Sequence, residues 1–133
     1  FNSDRGGSPQ LFIMNKNGDN IKRISKGRGV YGNPVWSPRG DLIAFTKLTQ
    51  GNFHIGVMDT NGNNERVIVR DFSLESPAWS PNGRYLIFHR QKRSNLDGTG
   101  GEVSIHFIDI TGYNERVIPT PLDGSDPAWS PLL

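Results

Sequence analysis

Residues 34–38 read Pro-Val-Trp-Ser-Pro, and the same motif returns at 77–81 and at 127–131 as Pro-Ala-Trp-Ser-Pro. The tryptophans Trp36, Trp79 and Trp129 are spaced by 43 and then 50 residues. A second signature keeps the same phase, because the turn pairs at 17–18, 61–62 and 111–112 each precede a short run ending in Ile. Two markers in phase indicate an internal repeat of 40 to 50 residues, which is typical of stacked or radial architectures.

Each repeat predicts four strands. In the middle one, a short strand ends at Pro81, which has no N–H to donate to a ladder. Asn82-Gly83 predicts a tight turn before the apolar run 85–89. A third strand over 103–110 and a fourth over 115–118 complete the unit. No stretch sustains a 3.6-residue apolar period, so we expect no helix.

A four-stranded unit of this length with a Trp on its first strand predicts a β-propeller blade. We expect an all-β fold, a propeller fragment of about three four-stranded blades, or half of a six-bladed propeller. Residues 1–133 would be the C-terminal portion of such a domain, with repeats at 1–33, 34–76 and 77–126 and a final strand at 127–133. Because closed propellers need at least about four blades, we expect a homodimer or pairing with missing blades.

Composition excludes several classes of protein. The chain has no cysteine, which rules out disulfides, thiolate metal sites and cysteine nucleophiles. Its net charge is only +2, which is too small an excess of basic residues to predict nucleic-acid binding. No apolar run approaches the ~20 residues that span a bilayer. A Gly-x-Gly-x-x-Gly match at 27–32 leads into a strand rather than a helix, so we do not expect a dinucleotide site.

The repeats resemble those of a known family. Residues 3–15 and the Pro-x-Trp-Ser-Pro-x-Gly repeats look like the blade signatures of the TolB family, periplasmic propellers of the bacterial Tol–Pal system. Chains of that family also resemble this one in ending just after a final Trp-Ser-Pro. The resemblance implies a periplasmic protein that binds the lipoprotein Pal, with contacts to other Tol proteins in the full-length chain. It also implies that calcium can bind in the propeller channel.

Blade connectivity predicts where a partner would bind. Loops from each fourth strand to the next first strand should share a face with the loops between second and third strands. The long loop 91–102 lies on that face and is either functional or a tolerated insertion. Aromatic groups with a polar surround suit a protein interface. The candidate partner-binding residues are Tyr31, Asn33, Phe72, Leu74, Glu75, Ser76, Arg93, Asp123 and Asp126.

The remaining candidates favour structure over chemistry. We expect Trp36, Trp79 and Trp129 to pack between blades, because all three share one phase. Carboxylates at the channel mouth suit a hard cation such as calcium, but no residue is assigned to a metal or a catalytic step. Three scattered histidines and no Gly-x-Ser-x-Gly elbow give a hydrolase no local support.

The sequence therefore predicts a non-enzymatic protein-binding scaffold of the bacterial cell envelope, acting in outer-membrane integrity and cell division. The alternative is the propeller domain of a prolyl-oligopeptidase-like peptidase that gates substrate access. A polysaccharide lyase propeller would need a histidine cluster, which three scattered histidines supply poorly.

Overall fold

The structure is a computed structural model that describes residues 1–131, and every described element is a strand or a turn. Eleven strands of this described part form three antiparallel sheets, which we call blades, and the strands of each sheet are neighbours in chain order. Blade 1 is β1 (Asn2–Ser3), β2 (Gln10–Ile13) and β3 (Lys22–Arg23). Blade 2 is β4 (Val30–Trp36), β5 (Leu42–Thr49), β6 (Asn52–Asp59) and β7 (Arg66–Asp71). Blade 3 is β8 (Leu74–Trp79), β9 (Tyr85–Gln91), β10 (Val103–Asp109) and β11 (Arg116–Ile118).

The core lies between the blades. One apolar cluster joins blades 1 and 2 around Leu11, Tyr31 and Phe45, and a larger one joins blades 2 and 3 around Ile55, Trp79 and Phe88. A twisted four-stranded sheet with two apolar faces cannot bury both by itself, so neighbouring sheets cover one another. The all-β prediction and the partial propeller are confirmed.

The first strand of each full blade starts earlier than the repeat predicts. Strands β4 and β8 begin at Val30 and Leu74, so the boundaries expected at 34 and 77 fall inside them. Each of these strands contains a bulge, where the register shifts between Gly32 and Val35 or between Glu75 and Ala78. The prolines that we took as the start of the strand lie at these bulges, where a missing N–H costs no ladder hydrogen bond.

The third copy of the motif forms no blade. Residues 127–131 are outside any strand, contrary to the expected final strand at 127–133, and residues 132–133 lie outside the described part of the chain. In the first two copies, the strand that pairs with the Trp-bearing strand follows it in sequence. Within residues 1–131, no strand follows Trp129.

Only one of the three tryptophans is buried between blades. Trp79 is 7% exposed, whereas Trp36 is 54% and Trp129 39% exposed. The expectation that all three are packed is therefore wrong for Trp36 and Trp129. Trp79 packs against blade 2 beside Val35. Among residues 1–131, no strand lies beside Trp36 in the way that β4 lies beside Trp79, and Trp129 lies outside the three sheets.

Candidate protein-binding face

Two sets of loops meet at one end of the blades. Val30 at the start of β4 pairs with Leu48, next to the turn that joins β5 to β6. Leu74 at the start of β8 pairs with Arg90, next to the long loop that joins β9 to β10. The predicted shared face is thus present. We call it the loop face and define it as residues 28–33, 48–52, 72–76, 91–102 and 122–126.

Two of the predicted binding residues are buried. Tyr31 and Leu74 have no exposed surface, because β4 and β8 already run through these positions and turn both side chains into the inter-blade core. The sequence expectation that they are exposed loop residues is wrong, and neither can contact a partner directly.

Tyr31 instead completes a partly buried polar cluster under the loop face. Its hydroxyl donates to the Glu65 carboxylate, whose oxygens lie 3.0 and 2.9 Å away, and Lys47 Nζ lies 2.6 Å from Glu65 Oε1. Burial, followed by the contact with Glu65, raises the pKa of Tyr31. Burial lowers the pKa of Lys47, but the hydrogen bonds to Glu65 and Tyr31 outweigh it, and the net pKa is raised.

The loop face carries an exposed aromatic ring. Phe72 is 38% exposed, and the Arg93 guanidinium carbon lies 4.1 Å from the centre of its ring. This cation–π contact links the long loop to the segment between blades 2 and 3. Arg and aromatic side chains are enriched where proteins bind one another, so the pair fits the predicted role.

Beside this pair, Ser76 and Asp126 join the first-strand positions of two successive repeats. Ser76 Oγ donates to Asp126 Oδ1 over 2.8 Å, and Ser125 Oγ donates to the other carboxylate oxygen over 3.0 Å. The Ser76 hydrogen bond, and then that of Ser125, lowers the pKa of Asp126. The exposed carboxylate is therefore fixed in place as an anion, ready to accept a hydrogen bond or ion pair.

A backbone feature repeats at this position in all three motifs. Asn33, Ser76 and Asp126 each precede a proline and have positive φ angles of 47°, 54° and 48°. Residues other than glycine adopt this conformation uncommonly, and at Asn33 and Ser76 it lies within the bulge of the first strand. Asn33 and Asp126 are exposed, and Ser76 is half-buried.

The other two predicted residues also lie on the face. Glu75 is half-buried opposite His89, and Asp123 is exposed in the segment after blade 3. The three carboxylates at 75, 123 and 126 do not form a metal site, because no group of three or more metal-ligating side chains occurs in residues 1–131. The geometry thus gives the calcium expectation no support.

The long loop is a small hairpin. Ser94 and Gly100 form an isolated bridge, and Asn95 N donates to Thr99 O over 2.7 Å. Leu96 at its tip is fully exposed, and Lys92 lies 3.8 Å from Glu102 across its base. The loop therefore has a defined shape and projects from the loop face.

Sequence reasoning missed one ion network. Arg90 is half-buried and pairs with Asp71 and, at 2.5 Å, with Glu115 Oε1. His106 Nδ1 lies 2.8 Å from the same oxygen without hydrogen-bond geometry. Burial, and then the charge of Arg90, lowers the pKa of His106. The sequence does contain a signal for this network. Lys47 and Arg90 each lie 11 residues after the Trp of their repeat, and each pairs with the Glu of an Asn-Glu-Arg sequence that also repeats.

The three successive antiparallel sheets cover one another, and blades 2 and 3 each open on a Trp-bearing strand. This arrangement defines the chain as part of a β-propeller. A sequence profile described as TolB beta propeller domain matches residues 1–133. The chain therefore belongs to the TolB β-propeller domain family. In residues 1–131 there is no helix of the length and apolarity needed to cross a membrane.

Curated relatives share this part of the sequence. The chain is 55% identical over 76 residues to the Tol-Pal system protein TolB of Gluconobacter oxydans, which is 57% of this chain and 17% of that protein. It is 48% identical over 69 residues to the protein of the same name from a Wolbachia strain of Drosophila simulans, covering 50% of this chain and 16% of that one. The matched part is thus about one sixth of each relative.

Solved structures share the fold. A putative TolB from Agrobacterium tumefaciens superposes with a TM-score of 0.78 at 21% identity, covering 98% of this chain and 49% of that one. TolB from Acinetobacter baumannii gives 0.72 at 20% identity over 86% of this chain and 27% of that one. An acylaminoacyl peptidase from Pyrococcus horikoshii gives 0.65 at 20% identity, covering 84% of this chain and 21% of that one. At sequence identities of 20–21%, these superpositions show a shared fold and nothing further.

Proposed function

We propose that this chain is a non-enzymatic, protein-binding scaffold of the bacterial cell envelope. It would work in the periplasm, in the Tol–Pal system that maintains outer-membrane integrity during division, and would bind the lipoprotein Pal through the loop face. The family and the names of its relatives support membership in that system.

The observation that carries the proposal is the arrangement around Phe72. An exposed ring lies under the Arg93 guanidinium on one side, and the fixed Asp126 carboxylate lies on the same loop face. An apolar anchor with a charged, hydrogen-bonding surround is the pattern that concentrates binding energy in protein interfaces. Asn33, Glu75 and Asp123 would form the polar rim.

The partly buried cluster of Tyr31, Lys47 and Glu65 has a supporting role in this proposal. It ties β4, β5 and the residue before β7 together under the loop face. The Arg90 network does the same in blade 3. The surface loops would thus be held on a rigid base, which reduces the entropy lost on binding.

The test is a calorimetric titration of this chain with soluble Pal, comparing wild type with Phe72→Ala, Arg93→Ala and Glu75→Arg. We expect saturable one-to-one binding that weakens at least tenfold, about 1.4 kcal/mol, in each variant. Arg39→Ala is the matched control, since Arg39 is an exposed arginine that follows β4 at the opposite end of the blade. No binding by wild type at tens of micromolar, or equal losses in Arg39→Ala, would contradict the proposal.

The peptidase alternative has one supporting observation, the fold shared with the acylaminoacyl peptidase of Pyrococcus horikoshii. No Gly-x-Ser-x-Gly elbow occurs in the 133 residues. A serine hydrolase domain joined to this propeller in the same polypeptide would favour the alternative, and labelling of that polypeptide by a fluorophosphonate would establish it.

A further inference from the structure

The Arg90 network has the same plan as the cluster of Tyr31, Lys47 and Glu65 in blade 2. Lys47 and Arg90 occupy one position of the repeat, and Glu65 and Glu115 occupy another, three residues after the turn glycine. Each basic side chain pairs with the glutamate of its own blade. In both blades, a ring from the inter-blade core also reaches this glutamate.

The ring comes from a different strand in each blade. In blade 2 it is the phenol of Tyr31 on the first strand, and the third strand has Gly56, where a Cβ would lie 2.6 Å from the ring of Phe45. In blade 3 the sizes are reversed, since the first strand has Leu74 and the third strand supplies His106. Imidazole changes its charge between about pH 5 and 8, whereas a phenol does so near about 10. Blade 3 therefore carries a group that titrates near neutral pH where blade 2 does not.

His106 is buried between blades 2 and 3. It is 8% exposed, and its ring stacks on Phe88 of the inter-blade core, with the ring centres 5.6 Å apart. Its Nε2 lies 3.0 Å from Ser104 Oγ. Its Nδ1 lies 2.8 Å from Glu115 Oε1, the oxygen that also binds Arg90, but makes no hydrogen bond within residues 1–131. A proton on Nδ1 would turn this close approach into an ion pair.

Three charged groups face the His106 ring from the elements around it. They are Arg90 on β9, Glu115 before β11 and Asp71 at the end of β7 in blade 2. One guanidinium and two carboxylates sum to a charge of −1, so the network is neutral only when His106 is protonated. Burial and then Arg90 lower the pKa of His106, whereas Glu115 and Asp71 raise it, and the net pKa is lowered. The ring therefore takes up its proton on the acid side of 6.5.

Protonation would place two cations on one carboxylate oxygen. His106 and Arg90 both contact Glu115 Oε1, and like charges this close repel each other. Arg90 has a second partner in Asp71, so it can leave Glu115 and remain paired. Asp71 Oδ1 in turn accepts a hydrogen bond from the backbone N–H of Phe72 over 2.6 Å. A movement of Arg90 thus reaches the residue whose ring is exposed on the loop face.

We propose that the Arg90 network is an acid-responsive switch that links the charge of His106 to the position of Phe72 on the loop face. With His106 neutral, Arg90 is shared by Asp71 of blade 2 and Glu115 of blade 3. With His106 protonated, the imidazolium pairs with Glu115, and Arg90 moves toward Asp71 alone. A partner that contacts Phe72 would bind the two forms with different affinity, and this consequence alone rests on the proposed function.

Nuclear magnetic resonance of the free chain tests the switch. The imidazole signal of His106 and the backbone amide signal of Phe72 are followed between about pH 8 and 4.5, where most carboxylates stay ionised. We expect both signals to move with one midpoint, below 6.5. The chain has three histidines, so the imidazole signals are readily assigned.

Two variants and a control separate the switch from other causes. His106→Phe keeps a ring against Phe88 but takes up no proton, so the Phe72 transition should disappear. Glu115→Gln removes a carboxylate that raises the pKa of His106, so the midpoint of His106 should shift to lower pH and Phe72 should no longer follow it. His54→Phe is the matched control, because His54 lies on the third strand of blade 2 and is also 8% exposed. Phe72 should keep its wild-type transition in this control.

Several results would overturn the proposal. One is a His106 signal that does not move in this pH range, and another is a Phe72 signal that stays constant while His106 titrates. A Phe72 transition that persists in His106→Phe or in Glu115→Gln would assign the transition to another group. Pal is absent from these measurements, so a failure to bind Pal contradicts the proposed function and not the switch.

Discussion

Trp79 Nε1 donates a hydrogen bond to the carbonyl oxygen of Val35, 3.0 Å away on the neighbouring blade. The two residues belong to successive copies of the same motif, so the first strand of one blade provides the acceptor for the tryptophan of the next. This bond fixes the offset between blades 2 and 3, because an indole N–H is a single directional donor.

Replacing Trp79 with Phe should destabilise the chain by about 2 kcal/mol, since it removes this bond and part of a buried ring. The matched change Trp36→Phe should cost under about 0.5 kcal/mol, because Trp36 is half exposed. Urea unfolding followed by circular dichroism measures both free energies of unfolding. Equal losses would mean that the hydrogen bond between blades contributes nothing.

A glycine in a turn of blade 2 sets how closely blades 1 and 2 approach. Gly62 has a φ of +76°, and a Cβ there would lie 1.9 Å from the Ile24 carbonyl oxygen. Gly62→Ala should therefore cost about 3 kcal/mol, because backbone has to move as well as adopt a strained φ. Gly18 occupies the same turn position in blade 1 with a φ of +85° and nothing within 4 Å.

Gly18→Ala is the control, and it should cost about 1 kcal/mol from the φ angle alone. Thermal unfolding of the two variants and wild type gives the comparison. A loss in Gly62→Ala no greater than in Gly18→Ala would show that the turn does not contact blade 1 in solution.

The repeat made the fold predictable, because two motifs in phase define a blade without any knowledge of its neighbours. The starts of the first strands were not predictable from proline positions, since the bulges place those prolines inside β4 and β8. The burial of Tyr31 and Leu74 was predicted wrongly for the same reason. Both were assigned to loops exposed to solvent, whereas both lie in first strands, whose side chains at these positions point into the core.

The tryptophans show a second limit. Trp36, Trp79 and Trp129 have the same local sequence, but their exposure depends on whether a strand lies beside them, and that is a property of the assembled sheet. The Arg90 network could have been predicted, because Lys47 and Arg90 lie at the same distance in sequence from the Trp of the repeated motif. A single arginine considered without that spacing would be expected at the surface, where most arginines lie.

The cluster under the loop face predicts a loss of stability at alkaline pH. The pKa values of Tyr31 and Lys47 are both raised above the ordinary values of 10.0 and 10.5, so the folded chain holds these two protons more tightly than the unfolded chain does. Their stabilisation is fully present below those ordinary values and is lost as the pH rises through the raised ones. The free energy of unfolding should therefore fall with increasing pH above about 10.

In Tyr31→Phe the phenol no longer titrates, so the decline should be shallower, whereas Tyr113→Phe, at an exposed turn, should keep the wild-type slope. Urea unfolding between neutral and alkaline pH measures all three slopes. Identical slopes for wild type and Tyr31→Phe would mean that the phenol is not linked to folding, and the cluster would then not stabilise the base of the loop face in the way that its hydrogen bonds indicate.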